Sequence, residues 1–441
     1  MARALQAATA QSDNKILLEA SAPAMFGANS KDLYATMDWV RSLASMWRVA
    51  GDIKNYSFNS TTGRLENPWS GEVAYNAGVY TSFYKTVALS RYVAPGRWND
   101  PDQLLIGDNG MTVDEEKSQF ALWSILGAPL LLSTDVRRLT QDYQKNGKDG
   151  AGVTLSKLKD SLDILTNKKI IAVDQDPLGQ GGYIAYQTDA SVDKGTDVIV
   201  KPLSGDRLAV VILNKSSTPI QPIKIDLRQI GIFLTNGTCT VSSQNLWSAA
   251  DAAPLPKNEL WTGVIPAHGN AMYKLAAQCD GKVVPVLPTG QIYSVAANDK
   301  LGFCLTADTA TPTNLNLKNC TGSSRQIWIR DITNHRIKLA DQPTSCLTRS
   351  EPAGAGKKFV LATCDPKRDD MQSFIYFLNG SIANISPLAS DVPTPTHPYG
   401  GLCLDIYGSQ FNEGTSVDPF QCQGSAIHQT NQLWSAPGIP G

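Results

Sequence analysis

The stretch Met46-Trp47-Arg48-Val49-Ala50-Gly51-Asp52 decides the fold of the first part of this chain, and Arg97-Trp98-Asn99-Asp100-Pro101-Asp102 repeats its pattern further along. In both, a short run able to form a strand lies beside Trp, Arg and a carboxylate. Polar side chains at the carboxyl ends of parallel strands are the usual site candidates in such folds. Carboxylates transfer protons, a guanidinium binds hydroxyls and an indole stacks on a sugar ring, so the combination indicates carbohydrate chemistry.

The surrounding sequence, residues 1–172, alternates short apolar strands with helices, which predicts a parallel sheet. Apolar residues at spacings of four and three from Leu33 to Val40 predict one helix. Thr112 and Glu115 form the capping-box pattern of another. The run Leu130-Leu131-Leu132 is predicted as a buried strand.

Composition restricts the possible functions. The chain has 441 residues, 42% of them hydrophobic and 18% charged, with a formal net charge of −1. This balance does not suggest nucleic acid or an anionic membrane as a partner, and no apolar run approaches the roughly 18 residues of a membrane span. No histidine precedes His268, which excludes His-dependent triads and His-ligated zinc from the first half. We therefore expect no metal or cofactor.

The cysteines indicate an oxidising compartment. All eight occur at or after Cys239, and six of them form three regularly spaced local pairs. The four expected disulfides are Cys239–Cys279, Cys304–Cys320, Cys346–Cys364 and Cys403–Cys422. Sequons support a secreted glycoprotein, at Asn55, Asn59, Asn214, Asn236, Asn379 and Asn384. Because no signal peptide opens the sequence, we expect that an N-terminal segment is missing.

Two further parts follow the first. Residues 173–280 carry β-rich segments separated by turns, which predicts an antiparallel β-sandwich held by Cys239–Cys279. Residues 281–289 have the composition of a linker. Residues 290–441 contain a threefold repeat in which Cys-Leu is followed by a second Cys and then by Gln-x-aromatic.

The threefold repeat resembles a ricin-B-type β-trefoil, a lectin-like carbohydrate-binding module. Pockets of that family use an Asp after the first Cys-Leu and an aromatic residue before the second Cys. The third repeat provides all the expected residues, namely Asp405, Phe420, Asn431 and Gln432. At the Asp and aromatic positions the first repeat has Thr306 and Leu317, and the second has Thr348 and Leu361. We therefore predict one working pocket, with a trefoil that binds nothing as the alternative.

Residues 1–278 resemble family 27 glycoside hydrolases, the α-galactosidases and α-N-acetylgalactosaminidases, and the appended trefoil resembles a fungal secreted subset. The motifs are the two stretches quoted first, Leu122-Trp123 with Ala128-Pro129-Leu130, and Ile171-Ala172-Val173-Asp174-Gln175-Asp176-Pro177-Leu178-Gly179. The resemblance implies a (β/α)₈ barrel and a retaining double displacement by two carboxylates.

The resemblance also implies a role for individual residues. Asp52 matches the acid/base, and Arg48 and Asp102 match residues that bind the sugar. Trp98 is a further candidate for substrate binding, although it could instead hold the turn. Glu19 falls at a specificity position, where it leaves little room for an N-acetyl group and favours galactose.

The sequence departs from the family at its start. It contains no Gly-Trp-x-Ser-Trp segment and no Lys-(Tyr/Phe)-Asp-x-Cys segment, whose Asp is the family's nucleophile. We therefore expect residues 1–172 to be the C-terminal half of the barrel, its last four strand–helix units, and the chain as written to be inactive on galactosides. The alternatives are a lectin-like fragment, or an α-N-acetylgalactosaminidase or β-L-arabinopyranosidase. The expected partners are galacto-oligosaccharides and galactomannans, and the oligomeric state is left open.

Overall fold

A computed structural model describes most of the chain. The described residues are 4–5, 7, 16–26, 30–53, 58–59, 64–65, 68–69, 72–73, 76–107, 110–139, 155–191, 193–295, 302–308, 314–350, 358–385, 401–423 and 430–440. No described helix is both long enough and apolar enough to cross a membrane.

The first part is built on a parallel sheet. Its strands are β1 (Glu19–Ala20), β2 (Met46–Arg48), β3 (Asp52–Ile53), β4 (Phe58–Asn59), β5 (Arg64–Leu65), β6 (Glu72–Val73), β7 (Asn76–Ala77) and β8 (Trp98–Asp100). Three of these strands form the parallel sheet, in the order β1-β2-β8, with both pairings parallel. The others form two small sheets, β3-β7-β6 and β4-β5. Beyond these strands, Leu104 and Leu132 form an isolated parallel bridge.

The first part also contains helices, two of which lie where the sequence predicts them. The helical segments are Ala22–Met25, Ser30–Leu43, Val79–Val87, Val113–Leu126, Leu155–Leu165 and Lys168–Asp174. Leu33, Met37 and Val40 are buried, as the spacing of the second helix requires. Thr112 and Glu115 form the capping box of the fourth, which ends at Gly127 with φ of 65°.

The run Leu130-Leu131-Leu132 corrects one expectation. It is not a continuous buried strand, because only Leu132 forms a bridge and Leu131 is 41% exposed. An apolar run alone cannot reveal which neighbour covers it. The first strand of this part is short, with only Glu19 and Ala20.

Antiparallel strands form the second part. They are β9 (Tyr183–Gln187), β10 (Thr196–Leu203), β11 (Arg207–Asn214), β12 (Lys224–Ile225), β13 (Cys239–Asn245), β14 (Ala253–Pro254), β15 (Leu260–Trp261), β16 (Asn270–Cys279) and β17 (Lys282–Val283). The large sheet has the order β14-β13-β16-β11-β10-β9, and β17 also pairs with β16. Cys239 lies opposite Cys279 in this sheet, and the two are disulfide-bonded.

The segment expected to be a linker, residues 281–289, is packed against its neighbours. β17 extends the large sheet, and Val286 forms a bridge with Ile232. The Leu287 N–H donates a 3.0 Å hydrogen bond to the Gly231 carbonyl. Pro and Gly content indicated a connection, but composition does not report these long-range backbone contacts.

The third part begins directly afterwards. Its strands are β18 (Thr289–Gln291), β19 (Tyr293–Ser294), β20 (Phe303–Ala307), β21 (Leu315–Asn319), β22 (Ile327–Asp331), β23 (Arg336–Leu339), β24 (Gln342–Arg349), β25 (Phe359–Thr363), β26 (Phe374–Tyr376), β27 (Ile382–Asn384), β28 (Leu402–Ile406), β29 (Val417–Gln421) and β30 (Trp434–Ser435). A short helix spans Asp369–Gln372. The sheets have the orders β18-β22-β23-β24-β25, β21-β20-β19-β30 and β26-β27-β28-β29.

Each repeat contributes one disulfide-bonded hairpin. The hairpins are β20–β21, β24–β25 and β28–β29, and the bonds are Cys304–Cys320, Cys346–Cys364 and Cys403–Cys422. The repeats share one core, in which Trp328 and Trp434 are fully buried.

Three of the sequon asparagines named above are buried. The Asn214 amide donates hydrogen bonds of 2.8 Å to the carbonyls of Thr218 and Pro266, and Asn379 and Asn384 are also enclosed. A glycan cannot be attached to these side chains in this fold. Asn236 is exposed. Asn55 and the side chain of Asn59 lie outside the described residues.

Candidate functional site

The parallel register of the first sheet brings the quoted motifs together. Arg48 at the end of β2 lies opposite Asp100 at the end of β8. Because side chains alternate along a strand, Arg48 and Asp100 share one face while Trp47 and Asn99 share the other. On that second face the Trp47 indole donates a 2.8 Å hydrogen bond to the Asn99 amide oxygen. The first face presents charge, and the second is a structural contact.

Arg48 contacts three carboxylates, and we call these four residues the Arg48 cluster. Its Nη2 lies 3.2 Å from Asp52 Oδ1 and 3.1 Å from Asp102 Oδ2. Its Nε lies 3.9 Å from Asp100 Oδ2. The Arg48 side chain is largely enclosed, which strengthens these attractions relative to an exposed ion pair. One guanidinium therefore holds two aspartates of different motifs within hydrogen-bond reach of a single nitrogen.

The three carboxylates differ in accessibility. The side chain of Asp52 is 80% exposed, against 12% for Asp102 and 4% for Asp100. Asp52 is thus open to a ligand from the solvent side. Asp100 is enclosed and suits positioning rather than contact with substrate.

Backbone groups hold Asp102 in place. Its Oδ2 accepts a 2.6 Å hydrogen bond from the Ile53 N–H, and its Oδ1 accepts one of 2.8 Å from the Gln103 N–H. Its own N–H donates to Asp100 Oδ1 at 2.8 Å, and its carbonyl accepts from the Trp123 indole at 2.6 Å. Asp102 has φ of 87°, a left-handed conformation that is uncommon outside glycine. These contacts stabilise that conformation.

Burial changes the protonation of the cluster. Desolvation, reinforced by a hydrogen bond to Glu19, raises the pKa of Asp100 to about 8, although the Asp102 N–H and Arg48 oppose the rise. Asp100 is therefore mainly a neutral acid at pH 7, and its side chain is hydrogen-bonded to Glu19. Desolvation also raises the pKa of Asp102, against the opposing effects of the Ile53 N–H and Arg48.

The structure brings several of the predicted residues together and places Trp98 two residues before Asp100 on the same face of β8. Arg48, Asp52 and Asp102 are in mutual contact, and Glu19 joins them through Asp100. Trp98 lies opposite Met46 at the start of β8, about 7 Å along the strand from Asp100. A Cβ added at Gly127 would lie 3.8 Å from its ring, so Trp98 packs towards the end of a helix.

A second polar site lies in the third repeat. Asp405 Oδ2 accepts hydrogen bonds of 2.9 Å from the Asn431 amide and 2.8 Å from the Gln432 amide. Burial raises the pKa of Asp405 to about 6, although these two amides lower it. Phe420 is 53% exposed on the neighbouring strand. The four residues predicted for this pocket are therefore adjacent or on the same hairpin.

The other two repeats use the same hydrogen bond with a different acceptor. Gln326 donates to the Thr306 hydroxyl at 3.1 Å, and Gln372 donates to the Thr348 hydroxyl at 2.9 Å. Their threonines therefore occupy the place of Asp405 structurally, without providing a carboxylate.

Sequence reasoning did not identify Asp418, which lies opposite Asp405 in the β28–β29 hairpin. Its position two residues before Phe420 was a signal, since alternate residues of a strand share a face. It also did not assign Asp100 a chemical role, because its burial and its contact with Glu19 arise only from the fold.

A separate cavity of about 610 Å³ lies among apolar side chains. Its lining includes Leu104, Phe120 and Leu162, with Gln175 as a polar member. Binding sites usually combine an apolar lining with several converging polar groups. This cavity lacks such a set among the described residues, so the Arg48 cluster is the better candidate.

Comparison with known proteins shows what the first two parts of the chain are similar to. Residues 3–176 match the family model described as Alpha galactosidase A, and residues 193–275 match the alpha-galactosidase C-terminal beta sandwich domain. Residues 3–176 are thus similar to the catalytic domain of alpha-galactosidases, a melibiase-type domain. Residues 193–275 are similar to the C-terminal β-sandwich of these proteins.

The similar proteins are longer than the matched part. The probable alpha-galactosidase A of Aspergillus niger is 30% identical over 374 residues, which are 84% of this chain and 59% of that protein. Alpha-galactosidase 3 of Arabidopsis thaliana is 32% identical over 241 residues, covering 54% of this chain and 45% of that protein. The crystal structure of alpha-galactosidase I from Mortierella vinacea aligns with a TM-score of 0.42 at 18% identity, covering 60% of this chain and 65% of that chain. The chain spans about three fifths of the Aspergillus protein.

Proposed function

We propose that this chain provides the acid/base side of a retaining α-galactosidase site that acts on terminal α-galactosyl residues of oligosaccharides and galactomannans. The observation that carries the proposal is that Arg48 Nη2 lies 3.2 Å from Asp52 and 3.1 Å from Asp102. An exposed aspartate beside a fixed cation and a fixed carboxylate suits proton transfer to a sugar oxygen.

Each residue of the cluster has a distinct proposed role. Asp52 protonates the leaving oxygen and then activates water, for which its exposure leaves room. Arg48 donates to sugar hydroxyls, and Asp102 accepts from them. Glu19, held by neutral Asp100, limits space beside the ring and favours galactose over N-acetylgalactosamine.

A retaining displacement needs a second carboxylate roughly 5–5.5 Å from the acid/base. The 441-residue sequence contains no Lys-(Tyr/Phe)-Asp-x-Cys segment. We therefore assign residues 1–172 to the C-terminal half of a barrel, and propose that this chain alone turns over galactosides far more slowly than an intact enzyme does.

Azide provides a direct test, because it can replace a missing nucleophile. It would form a C–N bond at the anomeric carbon while the bond to the leaving oxygen breaks, and Asp52 would supply the proton to that oxygen. We expect azide-dependent formation of β-galactosyl azide from phenyl α-galactoside, measured by NMR.

The leaving group separates the role of Asp52 from a structural one. Asp52→Asn should abolish the azide reaction of the phenyl galactoside but retain that of a dinitrophenyl galactoside, which needs no protonation. The exposed Asp251→Asn serves as the matched control. Equal loss with both substrates, or fast turnover without azide, would contradict the proposal.

A second proposed function is carbohydrate binding by residues 290–441 as a ricin-B-type β-trefoil. The observation that favours it is the Asp405 carboxylate, which is held by Asn431 and Gln432 on the same hairpin face as exposed Phe420. Asp405→Ala should abolish binding of the full chain to immobilised galactoside, whereas Thr348→Ala in the second repeat should not. Unchanged binding by Asp405→Ala would contradict this assignment.

Two related activities remain as alternatives, on α-N-acetylgalactosaminides and β-L-arabinopyranosides. The same azide assay with the three aryl glycosides separates them, and we expect the α-galactoside to react fastest. We further propose that the protein is extracellular, since four disulfides and an exposed sequon at Asn236 suit an oxidising secretory route.

A further inference from the structure

The third-repeat hairpin places two carboxylates side by side. In the β28–β29 pairing, Asp405 lies directly opposite Asp418. Residues that are directly opposite in an antiparallel pair project from the same face, with Cβ atoms about 5 Å apart. Phe420, two residues beyond Asp418, lies on that face as well. The face therefore carries two carboxylates and one exposed ring.

Asp418 has unused hydrogen-bonding capacity. Its Oδ1 is buried and has no hydrogen-bond partner in the part of the chain that the structure describes. A hydrogen bond from Ser416 and the positive charge of Lys358 act on the same carboxyl group. A buried acceptor without a partner costs free energy, and a ligand hydroxyl can remove that cost.

We propose that Asp418 is a second sugar-binding carboxylate of the third-repeat pocket, and that the Asp405–Asp418 pair makes galactoside binding weaken as the pH falls. The inference rests on the carbohydrate-binding function proposed above for Asp405. The two aspartates accept hydrogen bonds from different hydroxyls of one sugar while Phe420 covers its apolar face.

The direction of the pH effect follows from charge. Burial raises the pKa of Asp405 to about 6, and the facing charge of Asp418 adds to the rise, although the amides of Gln432 and Asn431 lower it. Burial raises the pKa of Asp418 too, against Ser416 and Lys358. The facing groups are thus Asp405 on β28, Lys358 beside β25 and the neutral amides of Asn431 and Gln432. A carboxylate that gains a proton loses a strong acceptor, so acid conditions weaken binding.

The test is calorimetric titration of the full chain with methyl α-galactoside between pH 4.5 and 7.5. For the unaltered chain, a group with a pKa of about 6 predicts roughly tenfold weaker binding at pH 5 than at pH 7. Asp418→Asn keeps the side-chain shape but removes the charge, so it should bind more weakly at pH 7 and shift the midpoint to lower pH. Lys358→Gln should shift the midpoint upward, and near-ultraviolet circular dichroism checks that both variants are folded.

The outcomes separate the two proposals. Binding that does not change with pH, or an Asp418→Asn variant with the affinity and midpoint of the unaltered chain, would overturn this inference and leave the binding function intact. Absence of binding at every pH, with the chain folded, would remove the binding function and this inference together.

Discussion

At the residue scale, Asp100 shows how burial can turn a charged residue into a neutral one. Its pKa is about 8 in the folded chain, because desolvation and Glu19 outweigh Arg48, whereas an unfolded Asp titrates near 4. Between these values the unfolded chain has released a proton that the folded chain keeps. Stability therefore falls as the pH rises through this window, by up to roughly 1.4 kcal/mol per pH unit.

Asp100→Asn should remove this dependence. The Asn side-chain oxygen can still accept from the Asp102 N–H, so the variant should gain about 1 kcal/mol at pH 5 and a few kcal/mol at pH 8. Urea unfolding at the two pH values measures the difference. Asp251→Asn is the exposed control, and an equal pH dependence in Asp100→Asn and the unaltered chain would show that Asp100 is ionised.

The sequons make a second residue-scale prediction. Expressed through a eukaryotic secretory pathway, the chain should carry a glycan at exposed Asn236 and none at buried Asn214. Glycopeptide mass spectrometry measures the occupancy at both sites. A glycan at Asn214 in folded protein would contradict the burial of its amide, which donates to two carbonyls at 2.8 Å.

Part of the candidate site could be predicted from the sequence. Arg48, Asp52 and Asp102 follow strand ends, and strand ends of a parallel sheet meet at one edge. Trp98 was predicted as a further substrate-binding candidate, with a structural role in the turn as the alternative. Its distance from Asp100 along β8 follows from where the strand begins, which the sequence does not specify to within a residue or two.

At the element scale, the helix Val113–Leu126 depends on its first turn. The Thr112 hydroxyl accepts from the Glu115 N–H at 3.2 Å, and Glu115 Oε2 accepts from the Thr112 N–H at 2.8 Å. The other oxygen of Glu115 lies 2.7 Å from His268 Nδ1 in the second part. The cap thus fixes both the helix start and its contact with the sandwich.

Thr112→Ala should destabilise the chain by about 1 kcal/mol, since one orphan N–H loses its acceptor. Thr112→Ser retains the hydroxyl and should cost much less. Thermal unfolding of the two variants gives the comparison. Equal stability of the Ala and Ser variants would show that the capping hydrogen bond contributes nothing measurable.

Helices and strands could be predicted where the signal lies within a few neighbouring residues. They could not be predicted where the structure depends on residues far along the chain. The capping box and the helix from Ser30 to Leu43 are encoded within a few residues. The exposure of Leu131 and the packing of residues 281–289 depend on partners far along the chain. The threefold repeat located the hairpins of the third part, but the register that pairs Asp405 with Asp418 came from the fold.

At the scale of the whole molecule, buried polar contacts join the three parts. Arg91 in the first part donates to the Leu378 carbonyl of the third at 2.8 Å. Asp197 in the sandwich accepts a 2.9 Å hydrogen bond from Tyr80 and another hydrogen bond from Tyr84, both on the helix Val79–Val87. These contacts couple the folding of the parts, because breaking an interface would leave buried polar groups without partners.

Substitution of Asp197 tests most directly whether the first part and the sandwich unfold together. Asp197 Oδ1 lies 3.0 Å from Lys215 Nζ, and both side chains are fully enclosed. Asp197→Asn leaves the Lys215 charge without its counterion, which should cost about 3–5 kcal/mol. It should also separate the unfolding of the first part from that of the sandwich in calorimetry.

A double substitution identifies the charge as the cause. Asp197→Asn combined with Lys215→Met has no buried charge left at this position, so it should recover most of the stability that either single change removes. Tyr84→Phe serves as the control, because it removes one hydrogen bond to Asp197 and keeps the ion pair. If the two single losses simply add in the double variant, the ion pair does not account for the coupling, and shape complementarity between the helix Val79–Val87 and the sandwich does.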